Sequence, residues 1–133
     1  MTAGLLDTSA YSAYLRGHDE LQSRLQQLDR IVVTPIVLGE LNAGFRAGSH
    51  RKKNEAELRR FLASPRVEVV PVDAETAERY GAIVHALRIA GTPIPTNDLW
   101  IAASAMQHGI RVLTTDAHYN RVAQILVEFF EGG

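Results

Sequence analysis

Residues 91–119 read GTPIPTNDLWIAASAMQHGIRVLTTDAHY and contain in succession a loop, a helical pattern, a glycine stop and a short β-branched run. Within residues 99–106 the only polar residue is Ser104. A helix without a polar face is buried among other elements. We expect Asp98 to open this helix and Asp116 to follow the next strand. A buried carboxylate needs backbone N–H groups, a cation or a proton beside it, so the stretch predicts a site as well as a core helix.

The rest of the chain alternates the same two kinds of element. Apolar runs typical of buried strands occupy residues 3–6, 30–34, 67–72 and 111–114, and a last edge strand is predicted within 125–130. Helical patterns fill the intervals at residues 10–15, 19–28, 35–48, 54–63, 73–91 and 98–108. Strands that alternate with helices predict an α/β fold, a parallel sheet covered on both faces, in a single domain over residues 1–133.

Composition narrows the function classes. The 133 residues include no cysteine, so disulfides and thiolate metal sites are excluded. The net charge is −1 and the sequence pI is near 6.5, which argues against a general polyanion binder. No segment approaches the ~20 apolar residues of a membrane span. We therefore expect a soluble cytoplasmic protein without a membrane partner.

One arm of the chain is basic although the whole is not. Residues 46–60 carry two acidic residues against these basic ones: Arg46, His50, Arg51, Lys52, Lys53, Arg59 and Arg60. The run fits either a solvated helix face with opposite charges interspersed or a phosphate-binding arm.

Four of the fifteen acidic residues fall at one predicted edge of the sheet. Asp7 follows the first strand and Asp116 follows the fourth. Glu40 lies inside the helix that follows the second strand, and Asp98 begins the buried helix. Sites in parallel sheets form beyond the carboxyl ends of the strands, where these residues are expected.

Clustered carboxylates raise each other's pKa and repel, so a cluster persists with a compensating cation or shared protons. Oxygen ligands without a cysteine or a histidine pair select a hard ion such as Mg²⁺ or Mn²⁺. Such an ion suits phosphodiester hydrolysis. Taken singly, however, Asp7 and Asp98 also fit helix N-caps, Glu40 a solvated helix residue and Asp116 a turn residue.

The same four positions carry a family resemblance. The stretches LLDTSAY, TPIVLGELNAG, IPTNDLWIAASAMQHG and VLTTDAHYNRV surround Asp7, Glu40, Asp98 and Asp116 in that order. In order and spacing they resemble the PIN-domain nucleases, and specifically the VapC-type toxins of toxin–antitoxin pairs. The resemblance covers nearly the whole chain.

The resemblance implies a three-layer α/β/α fold and a Mg²⁺- or Mn²⁺-dependent endoribonuclease. It also implies homodimers and inhibition by a cognate antitoxin. Carried over by position, the catalytic acids are Asp7, Glu40, Asp98 and Asp116. Asp7, Asp98 and Asp116 are then expected as metal ligands, with Glu40 acting directly or through water. The groups expected to orient them are Thr8, Asn97 and Thr115.

The implied reaction is hydrolysis of RNA by a metal-activated water, leaving 5′-phosphate and 3′-hydroxyl ends. Candidate phosphate contacts are Arg46, Lys52, Lys53 and Arg121. Tyr119 stands where the family often has phenylalanine, a departure expected to affect packing more than chemistry. His118 lies near the proposed site, but the family reading does not require it for chemistry. Trp100 is interpreted as a core residue.

Other functions remain open at this point. A PIN domain also serves as an RNA-processing nuclease, or as a scaffold that binds RNA or a partner without cutting. A phosphoacceptor receiver domain would need a lysine after its last strands, and the only lysines here are Lys52 and Lys53. A haloacid-dehalogenase-type phosphatase would need an aspartate at position 9, which is Ser9.

Overall fold

The strands and helices follow the predicted order. A computed structural model describes residues 2–132. Its strands are β1 (Ala3–Leu6), β2 (Arg30–Val33), β3 (Val67–Val69), β4 (Arg111–Thr114) and β5 (Val127–Phe129). Its helices are α1 (Thr8–Leu15), α2 (Asp19–Gln27), α3 (Pro35–Ala47), α4 (Arg51–Leu62), α5 (Ala74–Ala90) and α6 (Thr96–His108), with a 3-10 helix at Ala117–Arg121.

The five strands form one parallel sheet in the order β3-β2-β1-β4-β5. The central strand is β1, whose Leu5 lies opposite Val32 on one side and Val112 on the other. Side chains alternate between the two faces of a strand. Accordingly Leu5 joins a core cluster under α3, α5 and α6, while Leu6 joins a second cluster under α1 and α2. The predicted three-layer α/β/α architecture is confirmed.

The apolar helix predicted from residues 99–106 is α6, and it is buried as expected. Leu99 and the whole of residues 101–105 are inaccessible or nearly so. Trp100 is half-buried and stacks on Tyr80 of α5, with the ring centroids 4.1 Å apart. Burial of this helix fixes its first turn against the end of the sheet.

Four helix starts differ from the sequence prediction. Helix α1 begins at Thr8, two residues before the predicted start, with Asp7 as its N-cap. Asp98 does not open α6, because the helix begins at Thr96 with Pro95 as N-cap and Asp98 in the first turn. The N-cap of α2 is His18, whose Nδ1 accepts from the Leu21 N–H at 3.3 Å, and Asp19 lies in the first turn. The basic run is helical from Arg51, three residues before the predicted start.

The earlier start of α4 has a local cause. Ion pairs spaced four residues apart join Arg51 to Glu55 and Lys53 to Glu57, at 3.1 and 3.8 Å. Such pairs support exposed helical turns by a few tenths of a kcal/mol each.

Within residues 2–132 no helix combines the length and apolar character that crossing a bilayer demands.

Candidate active site

The carboxyl ends of β1 and β4 lie side by side because these strands are neighbours in the sheet. Asp7 directly follows β1, and Asp116 lies two residues beyond β4. The first turn of α6 brings Asp98 to the same edge, and α3 brings Glu40. The structure therefore places all four predicted acids at one end of the sheet.

Asp7 is the most buried of the four, with 3% of its surface exposed. Its Oδ1 accepts the Ala10 N–H at 2.8 Å and so caps α1. Its Oδ2 accepts the Thr114 hydroxyl at 2.6 Å, and Ser9 Oγ lies 2.8 and 2.9 Å from the two oxygens. Burial raises the pKa of Asp7 to about 6 in spite of these hydrogen bonds, and the charge of Asp98 adds to the rise.

Asp98, Asp116 and His118 form the tightest group. Each offers one ligand atom, and these three atoms lie within 4.8 Å of one another. His118 Nδ1 is 3.1 Å from Asp116 Oδ1 and 3.6 Å from Asp98 Oδ2. No arginine or lysine within residues 2–132 forms an ion pair with either aspartate. Asp7 lies outside this group, although the charge of Asp98 contributes to its raised pKa.

Burial raises the pKa of Asp98, and the negative charge of Asp116 raises it further. Tyr119 opposes this rise, because its hydroxyl donates a hydrogen bond to Asp98 Oδ1 at 3.2 Å. Tyr119 is itself fully buried, and burial raises its pKa, so the hydroxyl keeps its proton. The sequence interpretation assigned this residue to packing and missed its contact with the acid.

Glu40 is held through both carboxylate oxygens. The Thr8 hydroxyl donates to Oε1 at 2.5 Å, and the Asn97 amide donates to Oε2 at 3.2 Å. Two of the three predicted orienting groups therefore contact an acid directly. The third, Thr115, reaches the site through its backbone N–H, which donates to Ser9 Oγ at 3.0 Å.

Ser9 and Thr114 were not predicted as site residues, yet they hold Asp7. Thr114 is the polar last residue of a buried strand, and its hydroxyl is fully enclosed. A hydroxyl at the end of an apolar run, beside a predicted acid, was the available signal. The partners are 105 and 107 residues apart in sequence, so only the strand order brings them together.

The four predicted phosphate contacts are exposed side chains. Arg46, Lys52 and Lys53 are exposed, and the Arg121 guanidinium donates to the Pro93 carbonyl at 3.1 Å. Among the contacts of residues 2–132, none joins these side chains to the acids.

The donor set fits a small divalent cation. Carboxylate oxygens are the ligands that Mg²⁺ and Mn²⁺ prefer, and one imidazole nitrogen stands among them. His118 Nδ1 is shielded from solvent and faces Asp98 and Asp116 at ion-pair distance, without a geometrically well-formed hydrogen bond to either. A cation among these groups would reduce the mutual repulsion of the acids and would give the imidazole nitrogen a ligand.

Comparison with known proteins identifies relatives. The family model described as PIN domain matches residues 4–125. Ribonuclease VapC4 from Mycobacterium tuberculosis is 34% identical over 95 residues, covering 71% of this chain and 73% of the relative. Ribonuclease VapC5 from the same organism is 31% identical over 114 residues, covering 86% and 83%.

Solved structures match over almost the whole length. VapBC2 from Rickettsia felis, bound to a promoter DNA fragment, has a TM-score of 0.86 at 25% identity and covers 96% of this chain and 98% of its own. A Mycobacterium tuberculosis structure described as a member of the VapBC family of toxin-antitoxin systems has a TM-score of 0.76 at 29% identity. It covers 99% of this chain and 100% of its own.

Proposed function

The chain belongs to the PIN-domain family, among its VapC-type ribonucleases, and from that membership we propose that it is a toxin that cuts RNA with Mg²⁺ or Mn²⁺. The observation that supports this most is the acid cluster at the carboxyl ends of β1 and β4. Asp7 and Asp98 both have raised pKa values: the charge of Asp98 contributes to the rise at Asp7, and the charges of Asp116 and Glu40 contribute to the rise at Asp98. An uncompensated cluster of this kind is costly to a fold and calls for a cation. The proposed domain is the whole of residues 1–133.

In this proposal Asp98 and Asp116 hold the cation, together with Asp7, and Glu40 acts directly or through water. The bound ion supplies charge neutralisation at the phosphate and a lowered pKa for water, which suits phosphodiester hydrolysis at neutral pH. The proposed ligands come from segments that are far apart in sequence, so the site exists only in the folded chain.

The surrounding residues fix the acids before substrate arrives. Thr114 and Ser9 orient the Asp7 carboxylate, and Tyr119 orients Asp98 through Oδ1. Thr8 and Asn97 hold Glu40. Orienting contacts of this kind reduce the reorganisation that catalysis requires.

The proposed products carry 5′-phosphate and 3′-hydroxyl ends, which form when water attacks the phosphorus and the P–O3′ bond breaks, with the 3′ oxygen leaving. This chemistry does not use the RNA 2′-hydroxyl, so preference for RNA comes from shape and from splayed single-stranded bases. Arg46, Lys52, Lys53 and Arg121 stay proposed phosphate contacts.

The proposed partners are an RNA substrate, a cognate antitoxin and a second copy of the chain, in the cytoplasm. Support for the antitoxin comes from the VapBC structures that the chain resembles across more than nine-tenths of its length.

The test is to sequence cleaved RNA ends after brief expression of the wild type, Asp98→Asn and Asp19→Asn. Asp98 and Asp19 both lie in the first turn of a helix, but Asp19 is exposed and far along the chain from the site. We expect new 5′-phosphate ends with the wild type and Asp19→Asn, and none with Asp98→Asn. Undiminished cleavage by Asp98→Asn would overturn the assignment.

Growth provides the second readout in the same cultures. Arrest by the wild type without an antitoxin supports a toxin. Growth that continues despite cleavage would make the chain an RNA-processing nuclease instead.

A further inference from the structure

One imidazole stands among the carboxylates. The 3-10 helix that follows β4 begins at its N-cap Asp116, whose Oδ1 accepts the backbone N–H of His118 at 2.9 Å. This short turn fixes the two residues relative to each other. The next residue, Tyr119, donates its hydroxyl to Asp98 Oδ1. Three nearly consecutive residues of this turn therefore face the first turn of α6.

The ring of His118 presents Nδ1 to the acids. The side chain as a whole is 41% exposed, but Nδ1 itself is shielded from solvent. It lies at ion-pair distance from both aspartates, and neither contact meets the geometry of a full hydrogen bond. Burying a polar nitrogen without a hydrogen-bond partner costs free energy, about 1–3 kcal/mol in typical cases.

The spacing of the three atoms matches a shared ligand shell. Two ligands that bind one small cation at right angles, each about 2.1 Å from it, lie about 3 Å apart. His118 Nδ1 lies 3.1 Å from Asp116 Oδ1 and 3.6 Å from Asp98 Oδ2. Because Tyr119 engages the other oxygen of Asp98, Oδ2 is the one that faces His118.

We propose that His118 is a metal ligand through Nδ1, which makes this a mixed nitrogen–oxygen site selective for Mn²⁺ over Mg²⁺. The inference rests on the proposed function, since it concerns the same site. Mg²⁺ is a hard ion that takes oxygen ligands almost exclusively, whereas first-row transition ions gain affinity from imidazole. His118 thereby determines which ion the site prefers, while the aspartates supply the negative charge that attracts the ion.

The alternative role for this histidine is an imidazolium that neutralises the acids by itself. That role predicts that a bound cation displaces the ring, so no nitrogen would contact the ion. Direct contact between nitrogen and ion therefore separates the two roles.

The experiment is pulsed electron paramagnetic resonance of Mn²⁺ bound to the full chain, which detects a coordinated nitrogen-14. The variants are His118→Ala, His118→Asn, which offers an amide oxygen in place of Nδ1, and the control His85→Ala. His85 is an exposed histidine of α5. We expect the nitrogen signal in the wild type and His85→Ala, and its loss in both His118 variants. If His118→Ala binds Mn²⁺ too weakly for the measurement, His118→Asn still offers an oxygen ligand at the site and should retain saturable Mn²⁺ binding.

Equilibrium titrations in the same samples measure selectivity. His118→Ala should raise the Mn²⁺ dissociation constant about tenfold or more, as for loss of an orienting or ligating group. The Mg²⁺ constant should change by less than about threefold, because nitrogen adds little for that ion.

The outcomes separate this inference from the function it rests on. Mn²⁺ that binds the wild type without a nitrogen signal, or with a signal that persists in His118→Ala, overturns the ligand role alone. Wild-type protein that binds neither ion overturns the proposed metal-dependent function as well.

Discussion

Two acidic residues, Glu128 on β5 and Asp98 in the first turn of α6, have opposite surroundings. Glu128 on β5 receives Arg24 at 2.8 Å and Arg111 at 3.1 Å. Hydrogen bonds from Arg24 hold the pKa of Glu128 below its usual range. Asp98 has no guanidinium beside it, and burial together with the charge of Asp116 raises its pKa.

The difference shows where the fold neutralises its own charge and where it does not. On β5 the chain supplies the cations, so Glu128 stabilises the edge of the sheet. At the carboxyl ends of β1 and β4, no arginine or lysine among residues 2–132 forms an ion pair with Asp98 or Asp116, so their negative charge is not neutralised in this way. An acidic residue with a structural role has a cationic partner in the protein, whereas an acidic residue of a binding site is neutralised when its ligand binds.

The largest expected difference is in catalysis. Asp116→Asn should lower Mg²⁺- or Mn²⁺-dependent RNA cleavage about 100-fold or more, because it removes a proposed ligand. Glu128→Gln removes a charge of the same kind and should leave the rate within about threefold. Initial rates on a fluorescent RNA with purified proteins measure both. Equal losses in the two variants would erase the distinction between the regions.

The next largest effect is on how stability depends on pH, and the dependence has opposite signs in the two regions. Asp7 has a folded pKa of about 6, above its usual value of 3.8, so the folded state binds the proton more tightly. Its contribution to stability is complete below about pH 4 and is lost as the pH rises through 6, by up to about 3 kcal/mol. For Glu128, whose pKa is lowered from 4.5, stability is instead lost as the pH falls below that value.

Thermal unfolding of metal-free protein between pH 4.5 and 7.5 measures this. We expect the melting temperature to fall towards neutral pH in the wild type and in Glu128→Gln, and to vary less in Asp7→Asn. A profile that Asp7→Asn leaves unchanged would contradict the raised pKa.

The smallest effect is on stability at neutral pH without metal. Asp98→Asn removes repulsion with Asp116 and should raise the melting temperature. Glu128→Gln breaks a partly exposed ion pair and should lower it, each change being about 1 kcal/mol or roughly 2–4 °C. Differential scanning calorimetry in a chelator gives both values, and two shifts of the same sign would count against the comparison.

Much of the fold could be read from local pattern. The apolar runs of β1 and β4 and the almost wholly apolar residues 99–106 of α6 each indicate an element by themselves. Helix starts were less predictable, because they depend on which backbone group bonds first. At α6 the Pro95 carbonyl accepts the Leu99 N–H at 3.1 Å, so the helix begins before Asp98.

The site was predictable only in part. The four acids follow strand ends or begin helices, which is a local signal. The contacts of Ser9 with Thr114 and of Tyr119 with Asp98 are not local, because they depend on β1 lying beside β4 and on the depth at which α6 packs. The sequence did not indicate that the His118 ring faces the acids, because this depends on the 3-10 helix at Ala117–Arg121.

The central claim is that the acids at the carboxyl ends of β1 and β4 bind a divalent cation. Isothermal titration of chelator-treated protein with Mn²⁺ and Mg²⁺ tests it most directly, with Asp98→Asn and Glu128→Gln in parallel. The account predicts saturable binding to the wild type and Glu128→Gln, and its loss in Asp98→Asn. Binding that survives in Asp98→Asn, or no binding to the wild type at millimolar metal, would contradict it.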